Sequence, residues 1–248
     1  MAESTLWMWR HPRPEGALGR CIGRTDLTVD PRRAKRLARR IQRAARRAGL
    51  PHIVHSSPQR RCADVGRWLR RWGWRHIVDD ALSELDFGDW DGRAWTEIAR
   101  AEIDAWCADF ETYAPGAGES LLDMLARVAA WHSPGAVHPI LVVAHGGWMQ
   151  ARRWIQQGER PPASAAAWPA CPAYGTLWQS ESKMNVFMRG RFQGNTSGRV
   201  IASARTTRRG RRHWHVRTLF AREPGDLGFD QPLYGPARIG KARSRSQS

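Results

Sequence analysis

Two short apolar runs, each ending in a histidine, constrain the fold more than any other feature of the chain. Residues 6–9 (Leu-Trp-Met-Trp) lead into Arg10-His11-Pro12, and residues 140–144 (Ile-Leu-Val-Val-Ala) lead into His145-Gly146-Gly147. An uninterrupted apolar run bounded by turn formers is how a strand buried on both faces reads, and such strands belong to parallel sheets covered by helices. Helical patterns lie between them. Asp30-Pro31 supplies an N-cap and an N1 proline, followed by Ala34, Leu37, Ala38, Ile41, Ala44, Ala45 and Ala48 at helical spacing, with Gly49 as the stop. Residues 53–55 and 76–78 predict brief strands, separated by a helix capped at Ser57-Pro58 and running to about Trp72. A loop over 82–92, helices near 95–110 and 120–131, and, after His145-Gly146-Gly147, a helix to about Gln156 complete the pattern. This alternation predicts an α/β fold, a three-layer αβα sandwich with a mostly parallel central sheet. Ligands of such sheets collect beyond the carboxyl ends of the strands. His11 and His145 would both project at that edge.

The formal net charge is +17, and its distribution matters more than its size. Residues 180–248 hold thirteen Arg and two Lys against Glu181, Glu223, Asp226 and Asp230, a net of +11, which leaves +6 for residues 1–179. The last stretch has little apolar periodicity and a Ser/Arg/Lys-rich end, and reads as a basic, poorly ordered extension, with a short strand near residues 213–219. The expected organisation is therefore a domain over residues 1–179 and an extension over 180–248. A basic tail also raises nucleic acid as a partner. No run approaches the roughly 18 apolar residues needed to span a bilayer, so no membrane partner is expected. The first ten residues lack a basic region ahead of the apolar stretch and do not read as a signal peptide. Cys21, Cys62, Cys107 and Cys171 are widely spaced, which argues against disulfides or structural zinc and for a reducing cytoplasm.

Six segments then carry the chemistry. They are Arg10-His11, residues 21–26 (Cys-Ile-Gly-Arg-Thr-Asp), residues 56–62 (Ser-Ser-Pro-Gln-Arg-Arg-Cys), residues 82–92 around Glu84, Gly118-Glu119-Ser120, and residues 143–146 (Val-Ala-His-Gly). In this order and spacing, over about residues 5–178, the chain resembles the histidine phosphatase (phosphoglycerate-mutase-like) superfamily. Within it, the Glu84 loop and the stretch from Trp106-Cys107 to Glu119-Ser120 look most like α-ribazole phosphatases. The resemblance implies a phosphoric monoester hydrolase that forms a phosphohistidine on His11. It further implies a small phosphorylated substrate such as α-ribazole 5′-phosphate of cobalamin synthesis, and no cofactor or metal. A broad-specificity sugar or nucleotide phosphatase is the alternative within the class. Outside it stands an inactive phosphatase-like fold binding nucleic acid through its tail.

The residue types fit phosphoryl transfer on their own terms. The transferring group spreads negative charge over three oxygens, so a metal-free catalyst needs several fixed cationic donors and an in-line nucleophile. Neutral imidazole serves as that nucleophile at His11. Arg10 and Arg61 would fork onto the non-bridging oxygens, and His145 would add a third donor. A carboxyl beside a phosphate is disfavoured as a carboxylate, so Glu84 could protonate the leaving group and later activate water. Each residue has a plainer reading: Glu84 is one acid among Asp86, Asp89 and Asp91, and His145 is a helix-cap histidine. Arg60 and Arg61 are separated only by the family spacing, which selects 61. Arg24 and Thr25 either touch substrate or shape their loop. His213-Trp214-His215 is read as tail sequence. Pro12 departs from the glycine usual in the family and offers no N–H.

Overall fold

The computed structural model of the protein describes residues 5–132, 139–158, 162 and 164–180. Ten principal elements follow one another: β1 (Leu6–Arg10), α1 (Pro31–Arg47), β2 (Ile53–Ser56), α2 (Arg60–Arg71), β3 (Arg75–Val78), α3 (Arg100–Ala108), α4 (Leu121–Ala130), β4 (Ile140–Ala144), α5 (Gly146–Gln157) and β5 (Leu177–Ser180). The sheet order is β3-β2-β4-β1-β5, with every pairing parallel except β1 with β5. Alternation along the strands divides the core in two. Met8, Val142 and Ala144 face one cluster with Leu125, Trp148 and Ile155, while Trp9, Leu141 and Val143 face another with Leu37, Ile41, Val65 and Leu69. Helices α1 and α2 cover the second side, and α3 to α5 cover the first.

Helix α1 shows how the sequence decides the layer. Asp30 accepts the Arg32 N–H at 2.7 Å, Pro31 opens the helix, and Ala34, Leu37, Ala38, Ile41 and Ala45 are buried. Its outer face stacks arginines four apart (Arg32, Arg36, Arg40 and Arg39, Arg43, Arg47) with no acid in the helix. Each like-charge pair of this kind costs about 0.2–0.5 kcal/mol. Burying Leu37 and Ile41 contributes about 1.5–3 kcal/mol each, so the apolar stripe outweighs the repulsion.

Three local expectations are corrected. Ser57-Pro58 does not cap α2: the helix opens at Arg60, whose N–H is accepted at 2.6 Å by Asp26, while the Ser57 hydroxyl is turned to His145. The pattern over 95–110 splits, because Ile98 and Ala99 are extended. The physical cause is two successive caps, with Glu97 bonding the Ala94 N–H and Glu102 the Ala99 N–H. Strand β5 was not foreseen; it pairs antiparallel with β1, placing Leu177 opposite Trp9. Apart from Ser180, the expected extension and its strand near 213–219 lie outside the described residues. Among the described residues no helix is long and apolar enough to cross a membrane.

Candidate active site

Because Arg10 pairs in register with Ala144, the residues that follow leave adjacent strands side by side. The rings of His11 and His145 stand 5.1 Å apart, and both are buried. His11 Nδ1 lies 2.7 Å from the Pro12 carbonyl oxygen. A carbonyl only accepts, so the proton is assigned to Nδ1 and the lone pair to Nε2. Burial lowers the His11 pKa well below its usual value, and Arg61 and then Arg10 lower it further. The imidazole is thus neutral at neutral pH, with Nε2 available for attack.

Arg61 enters from the first turn of α2 and is 1% exposed. Its Nε donates to His145 Nδ1 at 3.1 Å, its Nη1 to the Thr25 carbonyl at 2.6 Å, and its Nη2 to the Gly23 carbonyl. Guanidinium has five N–H donors, so two remain for a ligand. Arg60, by contrast, is exposed, as the spacing argument expects. His145 must accept from Arg61 at Nδ1 and therefore carries its proton on Nε2, 2.7 Å from Ser57 Oγ and 3.2 Å from Gln59 Oε1. Its expected donation to phosphate would exchange one of those acceptors. Cys62 Sγ is 3.5 Å from the same nitrogen, but burial pushes this thiol up to about 12, which keeps it protonated and poorly nucleophilic.

Glu84 is buried, with one oxygen accepting the Gly147 N–H at 2.9 Å and the other the Leu85 N–H at 3.1 Å. Burial raises its pKa, and those two N–H donors and the arginines offset this only in part. A Cβ at Gly147 would run into the Glu84 carboxylate and push it aside. The expected site residues are therefore brought together as His11, Arg10, Arg61, His145 and Glu84. Arg24 and Thr25 are placed differently. Arg24 bonds Asp86 at 3.3 Å and is half exposed, and the backbone N–H groups of Gly23, Arg24 and Thr25 all donate to Asp91. Asp91 thus shapes the loop whose carbonyls hold Arg61.

Sequence reasoning missed three supports. Ser57 and Gln59, which engage His145, lie inside a quoted segment but had no assigned role. Arg10 is anchored from 172–174: its Nη1 donates to the Pro172 carbonyl at 2.6 Å, and its guanidinium lies 4.0 Å over the Tyr174 ring. No motif marked that stretch. Arg127 holds the Glu84 loop. It bonds the carbonyls of Ala81 and Ser83 at 2.9 Å each and that of Glu84 at 3.4 Å, and forms a two-pronged pair with Glu119 at 2.7 and 2.8 Å. Among the described residues, no cluster of three or more His, Cys, Asp or Glu could hold a metal ion.

Comparison with known proteins settles the family. The profile of the histidine phosphatase superfamily (branch 1) matches residues 6–166. The chain belongs to that superfamily. It is 29% identical over 161 residues to glucosyl-3-phosphoglycerate phosphatase of Mycolicibacterium vanbaalenii, covering 59% of this chain and 71% of the relative. A solved structure of mycobacterial glucosyl-3-phosphoglycerate phosphatase is 27% identical with a TM-score of 0.56, covering 71% of this chain and 89% of that one. The α-ribazole phosphatase of Shigella flexneri shares the fold at 21% identity and a TM-score of 0.59, with 71% and 89% covered. With relatives of this kind, the histidine phosphatase described here is a phosphoric monoester hydrolase. The match ends before 171–176, the stretch that cradles Arg10 in this chain.

Proposed function

We propose that this phosphatase hydrolyses a small phosphomonoester by passing the phosphoryl group through His11 Nε2. The observation that carries this reading is one buried pocket edge holding a neutral His11 with a free Nε2, two guanidinium groups and a Glu84 whose burial favours the acid form. In the first step the Nε2–P bond forms, the bond from phosphorus to the ester oxygen breaks, and Glu84 gives its proton to that oxygen. In the second, water attacks phosphorus, Glu84 takes the proton back, and the N–P bond breaks to release phosphate and neutral His11. Arg10 and Arg61 stay charged throughout and stabilise the transferring oxygens in a site with little water to reorganise. Their guanidinium groups supply the electrostatics that a metal supplies elsewhere, and no cofactor enters the scheme.

The finer assignment concerns the alcohol. The likeness of the Glu84 loop and of the stretch from Trp106-Cys107 to Glu119-Ser120 to α-ribazole phosphatases supports α-ribazole 5′-phosphate. The second reading, glucosyl-3-phosphoglycerate, is favoured by the 29% identity to the enzyme named for it. Four free cysteines, of which Cys21, Cys62 and Cys171 are buried, support a reducing cytoplasm as its compartment.

The test is direct. Brief mixing with labelled substrate should leave acid-labile, base-stable phosphate on the wild type and none on His11→Ala, which should be inactive yet folded. Turnover should survive exhaustive EDTA. Label on another residue, or activity restored to EDTA-treated enzyme only by a divalent cation, would move the chemistry elsewhere. Side-by-side kcat/KM on α-ribazole 5′-phosphate, glucosyl-3-phosphoglycerate and simple sugar phosphates then separates the substrate readings.

A further inference from the structure

The modest +6 of residues 1–179 conceals a separation of charge between the layers of the fold. Helices α1 and α2 together hold thirteen Arg and one Lys against a single acid, Asp64, a net of +13, so the rest of residues 1–179 carries −7. An arginine-rich composition alone would not produce that contrast, since it would enrich every layer alike. At about 100° per residue, the eight arginines of α1 fall within an arc of about 140°, opposite the buried Ala34, Leu37, Ala38, Ile41 and Ala45. All eight are exposed. Helix α2 packs beside α1 and adds exposed Arg60, Arg67, Arg70 and Arg71, of which Arg67 pairs with Asp64. The catalytic arginines do not belong to this face: Arg10 lies on β1, and Arg61, though in α2, is buried, so the exposed face carries a net of +12.

We propose that the outer face of α1 and α2 is a docking surface for a nucleic-acid duplex, held through its phosphates. Three observations select this partner. Arginine outnumbers lysine eight to one on α1, and a planar fork of donors suits phosphate oxygens better than a point charge does. Unpaired strands are bound through free aromatic platforms. On this face the Trp68 ring is instead covered by Lys35 at 4.8 Å and Arg71 at 4.7 Å, which leaves phosphates rather than bases to be read. An anionic bilayer would need an apolar stripe to insert, and that of α1 is already buried in the core. The extension cannot neutralise the face, since its own net charge is +11. Helix α1 runs back from the catalytic edge, and β5 runs antiparallel to β1, so Arg46, Arg47 and Ser180 lie toward the opposite edge.

The test uses the full chain and a fluorescein-labelled DNA duplex of mixed sequence, with affinity followed by anisotropy over a series of salt concentrations. In the triple variant Arg36→Gln, Arg39→Gln, Arg43→Gln the dissociation constant should rise at least tenfold. The slope of log K against log salt should shrink by about 3, the counterions released by three phosphate contacts. Phosphatase activity should be unchanged, because none of the three belongs to the catalytic machinery, and it doubles as the control for folding. A second variant, Arg32→Gln, Arg46→Gln, Arg47→Gln, should weaken binding in the same sense. The proposal is overturned if both variants bind the duplex as wild type does, which would assign any affinity to the extension. It is equally overturned if wild type fails to bind at low salt, or if phosphatidylserine vesicles are bound and the duplex is not.

Discussion

At position 12 a proline follows His11, the proposed nucleophile, and its missing N–H takes away none of the contacts that His11 makes. What His11 takes from residue 12 is the carbonyl, at 2.7 Å from Nδ1, and proline keeps that group. The sequence showed the missing donor and not the acceptor that matters. Glu84 was recognisable only through its neighbours in the motif, since nothing in a run with Asp86, Asp89 and Asp91 tells which acid will be buried. Its burial sets the pH behaviour. Glu84 must hold its proton for the first step, so kcat/KM on alkyl phosphates should decline as pH rises through its raised pKa. His11 must be neutral, and its lowered pKa puts any acid limb owed to it well below the ordinary 6.5. With 2,4-dinitrophenyl phosphate, whose leaving group needs no proton, the alkaline limb should vanish. Glu84→Gln should cost about 10²- to 10⁴-fold in kcat/KM on alkyl phosphates and far less in kcat/KM on the dinitrophenyl ester. Gly147→Ala should imitate it, since the new methyl displaces the carboxylate. Equal losses on both substrates would show that Glu84 is not the proton donor.

At the scale of elements, the site depends on loops held by side chains from elsewhere. The stretch carrying Glu84 is pinned by Trp148 and Arg127 to the Ala81 carbonyl and by Trp131 to Asp79, while Asp91 fixes the loop that supports Arg61. Leaving the part-buried Glu119 without its cation should make Arg127→Met cost about 1–3 kcal/mol of stability. The double variant Arg127→Met, Glu119→Met should recover part of that loss by chemical denaturation. Neither should recover kcat on alkyl phosphates, because the carbonyls of residues 83 and 84 stay unclamped. If the double variant regains full activity, Arg127 serves stability alone. The strands and helices were legible because their periods are local: β4 is a five-residue apolar run, and α1 carries a cap, a proline and a clean stripe. The clamps were not. Arg127 meets Ala81 across 46 residues, and Arg10 meets Pro172 across 162, separations that no periodicity reports. Strand β5 escaped notice because its four residues, Leu-Trp-Gln-Ser, are decided by an open sheet edge.

For the whole molecule, the question is where the catalytic unit ends. The superfamily match stops at residue 166 and the composition changes near 180, and the catalytic unit is expected to end at the second of these. Residues 171–176 anchor Arg10 through the Pro172 carbonyl and the Tyr174 ring, and the Arg10 N–H donates to the Thr176 carbonyl at 3.0 Å. Residues 177–180 then cover the outer edge of β1, the strand that delivers His11. A chain shortened after Ser180 should therefore fold and keep kcat within a few-fold of wild type, since every residue named in the chemistry precedes that point. A chain shortened after Ala170 should not. It loses the carbonyl and the ring that hold a buried guanidinium, and it exposes the backbone of β1, an unprotected edge that favours aggregation. Steady-state kinetics and thermal melts on the two shortened chains distinguish the cases. Full activity after removal of 171–180 would mean that Arg10 is held by the sheet alone. Failure of the longer chain to fold would mean that residues beyond 180 contribute to the core, and the boundary would move with them.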